Sequence, residues 1–143
     1  MGRLGQLWRS TDPLSAFEPG PNPFRGGAYA NRVRHVALVQ RGSLMYVFFT
    51  AIGDAPERIL MSTISLSGDW SRWTLSAPVE VLQPEAPYEC LTLPNAPSAA
   101  GDVKVPVRQL RDPAIFEENG RTLLFYSFCG EQGIAAAELT VQR

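Results

Sequence analysis

The stretch Gln109-Leu110-Arg111-Asp112-Pro113-Ala114-Ile115-Phe116-Glu117-Glu118-Asn119-Gly120-Arg121-Thr122-Leu123-Leu124-Phe125-Tyr126-Ser127 decides how this chain is read. Two apolar runs flank Asn119-Gly120, the strongest short-range hairpin signal, because glycine supplies a positive φ without steric cost. Arg111-Asp112 stands at the mouth of the first run. A carboxylate at that place is either a cap on the turn into the strand or the working end of a site.

The rest of the composition agrees with a β protein. The 143 residues suit one ordinary domain, and 45% hydrophobic against 19% charged residues describes a globular chain. Twelve prolines and twelve glycines interrupt it every few residues. No stretch keeps a 3.6-residue period, and the short apolar runs are rich in aromatic and β-branched residues, so the expected class is all-β.

A net charge of −1 provides no basic field for nucleic acid or an anionic membrane. No apolar run approaches the roughly 20 residues of a bilayer span. Met1 to Ser10 lacks a continuous apolar core of a secretory signal, so the expected compartment is the cytoplasm unless an export segment has been lost with missing sequence. Cys90 and Cys129 lack metal-ligand spacing and are expected as buried thiols. With His35 the single histidine, no zinc site or acyl-transfer triad takes shape around it. No metal and no cofactor is read from the chain.

In chain order, a short strand around Leu4 to Trp8 and another at 14–17 precede a Pro-rich loop from Glu18. Strands follow at 36–39, 44–50 and 58–64, and an outer strand begins near Trp73 and ends near Leu82. Four antiparallel strands joined by short turns form the meander of a β-propeller blade. Residues 84–106 are irregular and rich in proline. The pattern then resumes at 114–116 and 123–127 and runs on through 134–139.

The two passages match at a constant spacing of 77 residues: His35 with Asp112, Thr50 with Ser127, Gly53 with Gly130. That spacing marks an internal repeat. The predicted division is a partial blade and linker at 1–31, a blade at 32–83, a Pro-rich loop at 84–108 and a partial blade at 109–143. About two blades of an incomplete propeller result, against the four to eight of a closed ring. Open edges then call for several copies to assemble as a homo-oligomer, or for missing blades from a longer chain, the preferred reading.

Leu110-Arg111-Asp112-Pro113-Ala114-Ile115-Phe116, the Asn119-Gly120 turn, Leu124-Phe125-Tyr126-Ser127 and Gly130-Glu131-Gln132-Gly133-Ile134-Ala135 together resemble the five-bladed β-propeller glycoside hydrolases, especially family 43-like proteins. In those proteins an Asp-Pro pair opens an innermost strand and aims its carboxylate into a central sugar pocket. Pro87-Tyr88-Glu89-Cys90 resembles the segment carrying their general acid. In the related invertase-like families an Arg-Asp-Pro precedes a Glu-Cys; here the order is reversed.

The resemblance implies a carbohydrate ligand and acid/base carboxylate chemistry. Inverting glycosidases set an acid and a base about 6.5–9.5 Å apart, with environments that separate their pKa values. Glu89 would be the acid, and Asp112 the base or a carboxylate that tunes it. Arg111 would pair with a carboxylate or a sugar hydroxyl, and His35 would line the pocket floor. Tyr88 and Tyr126 would offer stacking faces; Trp70 and Trp73 fit outer-blade packing better. Plainer alternatives stand beside these. Asp112 only caps its turn, Glu89 is solvated, His35 is a hydrogen-bonded interior residue, and Asp54 and Glu131 are structural. The resembling enzymes use three acidic residues from different blades, and this chain supplies at most two. A binding or assembly module without catalysis, or an inactive remnant, is the competing expectation.

Overall fold

A computed structural model describes residues 1–140. Nine strands form three antiparallel sheets, and no α-helix occurs among the described residues. β1 (Trp8–Arg9) pairs with β2 (Glu18–Pro19) in a minimal two-stranded sheet. The second comprises β3 (Val33–Arg41), β4 (Leu44–Ala51), β5 (Ile59–Ser65) and β6 (Val79–Leu82), in that order. The third comprises β7 (Arg111–Glu118), β8 (Arg121–Phe128) and β9 (Gly133–Leu139).

The repeat is visible in the hydrogen-bond register. Ala37 faces Phe48 and Arg41 faces Leu44; 77 positions on, Ala114 faces Phe125 and Glu118 faces Arg121. Each hairpin closes on a two-residue turn, Gly42-Ser43 or Asn119-Gly120. Asn119 (φ 50°) and Gly120 (φ 76°) are both left-handed, the type I′ geometry that follows strand twist. The first strand of each of the two larger sheets also carries a bulge near its start, between Val33 and Val36 and between Arg111 and Ala114. The match loosens after the second strand. Seven residues join β4 to β5, and four join β8 to β9. In the paired register the spacing between equivalent third-strand residues falls by two, with Ser62 opposite Val47 and Ala137 opposite Leu124.

Two cores explain the composition of β4. Val47 and Phe49 pack with Phe24, Val33, Leu60 and Ile64 against the N-terminal segment. Phe48, from the other face, packs with Ala37, Val39, Ile59, Leu110, Leu124 and Tyr126, a cluster spanning both larger sheets. A strand buried on both faces reads as a continuous apolar run, whereas half-exposed β9 alternates. β3 and β7 lie side by side, and their meeting line is the seam on which the candidate site is built.

Several expectations need correction. The fourth strand of the β3–β6 sheet covers only Val79–Leu82; Trp70–Arg72 forms a 3₁₀ turn capped by Asp69, and Trp73, the expected start of the outer strand, closes that turn. Residues 14–17 form no strand, and the N-terminal pairing falls on Glu18–Pro19, at the start of the expected loop. A two-residue edge strand tolerates proline because only one side of it is paired. The end of the expected 109–143 unit, residues 141–143, lies outside the described residues. Cys90 and Cys129 are joined in a disulfide with Cα atoms 5.2 Å apart, not held as free thiols. The fold brings the Pro-rich segment onto the β8–β9 turn, a proximity that sequence spacing does not reveal.

Candidate functional site

The seam is held by a buried ion cluster assembled from both hairpins. Glu57, fully buried, takes Arg34 Nε on Oε1 at 2.9 Å and Arg111 Nε on Oε2 at 3.3 Å. Arg111 is also wholly buried. It donates to Gln109 Oε1 through Nη2 at 2.6 Å and to Glu131 Oε1 at 2.8 Å. The carbonyl of Gly101, in the Pro-rich segment, accepts from Arg34 at 2.9 Å and Arg111 at 3.2 Å. Guanidinium groups supply many donors in a fixed fork, so two of them can bind one carboxylate and a loop together. Arg111 is thus occupied by carboxylates, amide and carbonyl inside the protein and faces no ligand. Asp54, in the β4–β5 turn, pairs with Arg32 and Arg58.

Above this cluster equivalent residues of β3 and β7 meet. His35 Nδ1 contacts Asp112 Oδ1 across the 77-residue repeat. Asp112 Oδ2 accepts a hydrogen bond from Ser127 Oγ at 2.8 Å. Asp112 sits in the β7 bulge with φ 52°, a left-handed conformation uncommon outside glycine and most tolerated by Asn and Asp. Thr50, the counterpart of Ser127, is fully buried, and its hydroxyl finds no partner among the described residues. The His35 side chain is 66% exposed and the Asp112 side chain 29%. The expected interior histidine is therefore a surface group, because the bulge turns position 35 outward. Both residues line a cavity of about 570 Å³ with Arg34, Gly101, Asp102 and Glu131. That volume falls within the usual range of small-molecule sites.

The other sequence candidates lie elsewhere. Glu89, expected as an acid or a solvated carboxylate, is buried outside this cavity. Its Oε2 accepts the amides of Glu85 and Ala86, each at 2.8 Å, and its Oε1 accepts Tyr126 Oη at 2.7 Å. Tyr126 is buried in the inter-sheet core rather than offered to a sugar. Burial, followed by its hydrogen bonds with Tyr88 and Glu89, pushes its phenol well above the usual tyrosine range. Tyr88 is half exposed and stacks edge-on against Phe128 at 5.3 Å. The three tryptophans gather at a separate cleft of about 520 Å³, where Arg9 covers the Trp70 ring at 3.9 Å.

Glu57 is the site-supporting residue that the sequence reading missed. Its signal was an acidic residue directly after Ala55-Pro56, two residues before β5, a strand that opens on the buried pair Ile59-Leu60. Among the described residues no group of three or more His, Cys, Asp or Glu could hold a metal ion. No helix among them is long and apolar enough to cross a membrane.

The chain is 41% identical over 148 residues to an uncharacterized protein of Acanthamoeba polyphaga mimivirus; the match takes in 96% of this chain. It spans 42% of that relative's length. No family model matches the chain, and no solved structure does.

Proposed function

We propose that the chain is part of a glycoside hydrolase-like propeller and that its seam cavity binds a saccharide. The observation that carries this reading is the meeting of His35 and Asp112, equivalent residues of two register-matched hairpins, beside one cavity. Inner strands around a shared axis bring equivalent positions together in this way. The residues resembling family 43-like proteins point to sugar as the ligand. A carboxylate and an imidazole suit vicinal hydroxyls, which both donate and accept hydrogen bonds. Two larger sheets would make two-fifths of a five-bladed ring, close to the share of the relative that the chain spans.

Glu89 favours a second reading, saccharide binding without hydrolysis of unactivated glycosides. Its carboxylate is committed to two amides and a phenol outside the cavity, so no acid is read at the glycosidic oxygen. The Cys90–Cys129 bridge suits an oxidising compartment better than the cytoplasm.

Saturation-transfer NMR with a panel of methyl glycosides and short β-linked oligosaccharides tests the reading. Binding that Asp112→Ala abolishes supports it. No contact with any sugar, or contact unchanged by Asp112→Ala, removes the seam as a saccharide site.

A further inference from the structure

We propose that His35 is the proton acceptor of the seam cavity, with Asp112 acting through it as a positioning residue, an inference that rests on the saccharide reading of that cavity. Both Asp112 oxygens are engaged, one by Ser127 Oγ and the other by His35 Nδ1. A carboxylate at Nδ1 keeps the ring hydrogen there and leaves Nε2 with its lone pair. Nε2 has no hydrogen-bond partner among the described residues, and its side chain is two-thirds exposed at the cavity. The free basic atom of the pair is therefore on the imidazole.

The pair is built into the repeat. The second hairpin carries Asp112 with Ser127 beneath it, while the first carries His35 above Thr50, whose hydroxyl has no acidic partner. One hairpin supplies the carboxylate and the other the ring it orients. Asp112 is held for this in a left-handed conformation ahead of Pro113. Non-glycine residues persist there only when their surroundings determine them, and such residues cluster at functional sites.

An imidazole is the usual side chain for proton transfer near neutral pH. Nε2 takes a proton from water as the water oxygen bonds to the anomeric carbon. The bond from that carbon to the leaving oxygen breaks, and its electron pair departs with the leaving group. The imidazolium, paired with Asp112, then returns its proton to solvent. Glu89 lies outside the cavity, and the carboxylates lining it beside Asp112, namely Asp102 and Glu131, are paired with Lys104 and Arg111, so no protonated acid is read at the leaving oxygen. Turnover is therefore confined to leaving groups stable as anions, such as 4-nitrophenolate, and excludes methyl glycosides.

His35 is the only histidine in the chain, so its ring nitrogens are read directly by ¹⁵N NMR. The expected spectrum is the Nδ1–H tautomer in wild type, with that preference lost in Asp112→Asn. With 4-nitrophenyl glycosides of the sugars that bind, His35→Gln and Asp112→Asn should each lower kcat about 10²-fold or more. Asn and Gln keep hydrogen-bonding groups at the cavity, so sugar binding should persist, weakened far less than kcat falls, and Ser127→Ala should fall between. A wild-type Nε2–H tautomer overturns the assignment. So does full turnover in His35→Gln, or absence of wild-type turnover while sugar binds; these leave the saccharide reading standing. Absence of sugar binding removes both.

Discussion

Tyr126 donates its phenol hydrogen to Glu89 at 2.7 Å, across 37 residues of chain. With the amides of Glu85 and Ala86 on its other oxygen, Glu89 fastens the start of the Pro-rich segment to β8. The disulfide from Cys90 to Cys129 lies immediately beside it. A Glu-Cys pair that resembles a catalytic segment thus serves as a clamp.

That contact gives stability a direction with pH. Burial first, then the bonds with Tyr88 and Glu89, holds the Tyr126 proton more tightly in the folded chain than its ordinary value of 10.0 would. The resulting stabilisation is complete below about pH 10 and declines as pH rises beyond it. At neutral pH, Tyr126→Phe should cost about 1–2 kcal/mol by leaving Glu89 one donor short. Thermal melts of the two proteins should converge above about pH 10; a gap that stays constant there contradicts the assignment.

Glu57 is the sole carboxylate between Arg34 and fully buried Arg111 at the seam. Removing one partner of a buried ion pair costs about 3–5 kcal/mol, because a desolvated charge is left behind. Glu57→Ala should lose that much in urea unfolding, and Glu57→Gln, which keeps an acceptor, should lose less. A loss under about 1 kcal/mol for the alanine variant would mean that the cluster is not closed in solution.

The native protein should contain no thiol reactive toward a colorimetric disulfide reagent. Replacing both cysteines with serine should cost about 2–4 kcal/mol, since the bridge closes a long loop. Reductant should destabilise wild type to the same extent and leave the double variant unchanged. Two titratable thiols in the folded protein would show that the bridge is absent.

Two glycines separate backbone strain from steric overlap. A Cβ on Gly120 meets nothing within 4 Å, yet φ is 76°, so Gly120→Ala should cost about 1 kcal/mol through the backbone alone. A Cβ on Gly20 would overlap the Trp70 ring. Gly20→Ala should therefore release the N-terminal hairpin and shift tryptophan fluorescence, while Gly120→Ala leaves the fluorescence in place. An unshifted spectrum in Gly20→Ala would detach Trp70 from that hairpin.

Local chemistry made the hairpins legible. Asn119-Gly120 specified its turn, and the 77-residue spacing anticipated a register that the strands keep pair by pair. Position 35 was read as the repeat equivalent of 112, but nothing local indicated that His35 would be exposed and meet Asp112. Long-range events were hidden for the same reason. The Cys90–Cys129 bridge, the burial of Glu89 and the sharing of Glu57 depend on where the Pro-rich segment lies, and neither periodicity nor turn chemistry encodes that path. Trp73 opened no outer strand because Asp69 caps a 3₁₀ turn just before it.

The unequal turns after β4 and β8 have a consequence for how such a chain can evolve. Only the longer turn carries the anion that both β3 and β7 share, so the second copy of the motif is no longer autonomous. Excising the first copy, or transplanting the second into another scaffold, would take the interior Arg111 away from Glu57, so the second copy depends on the first.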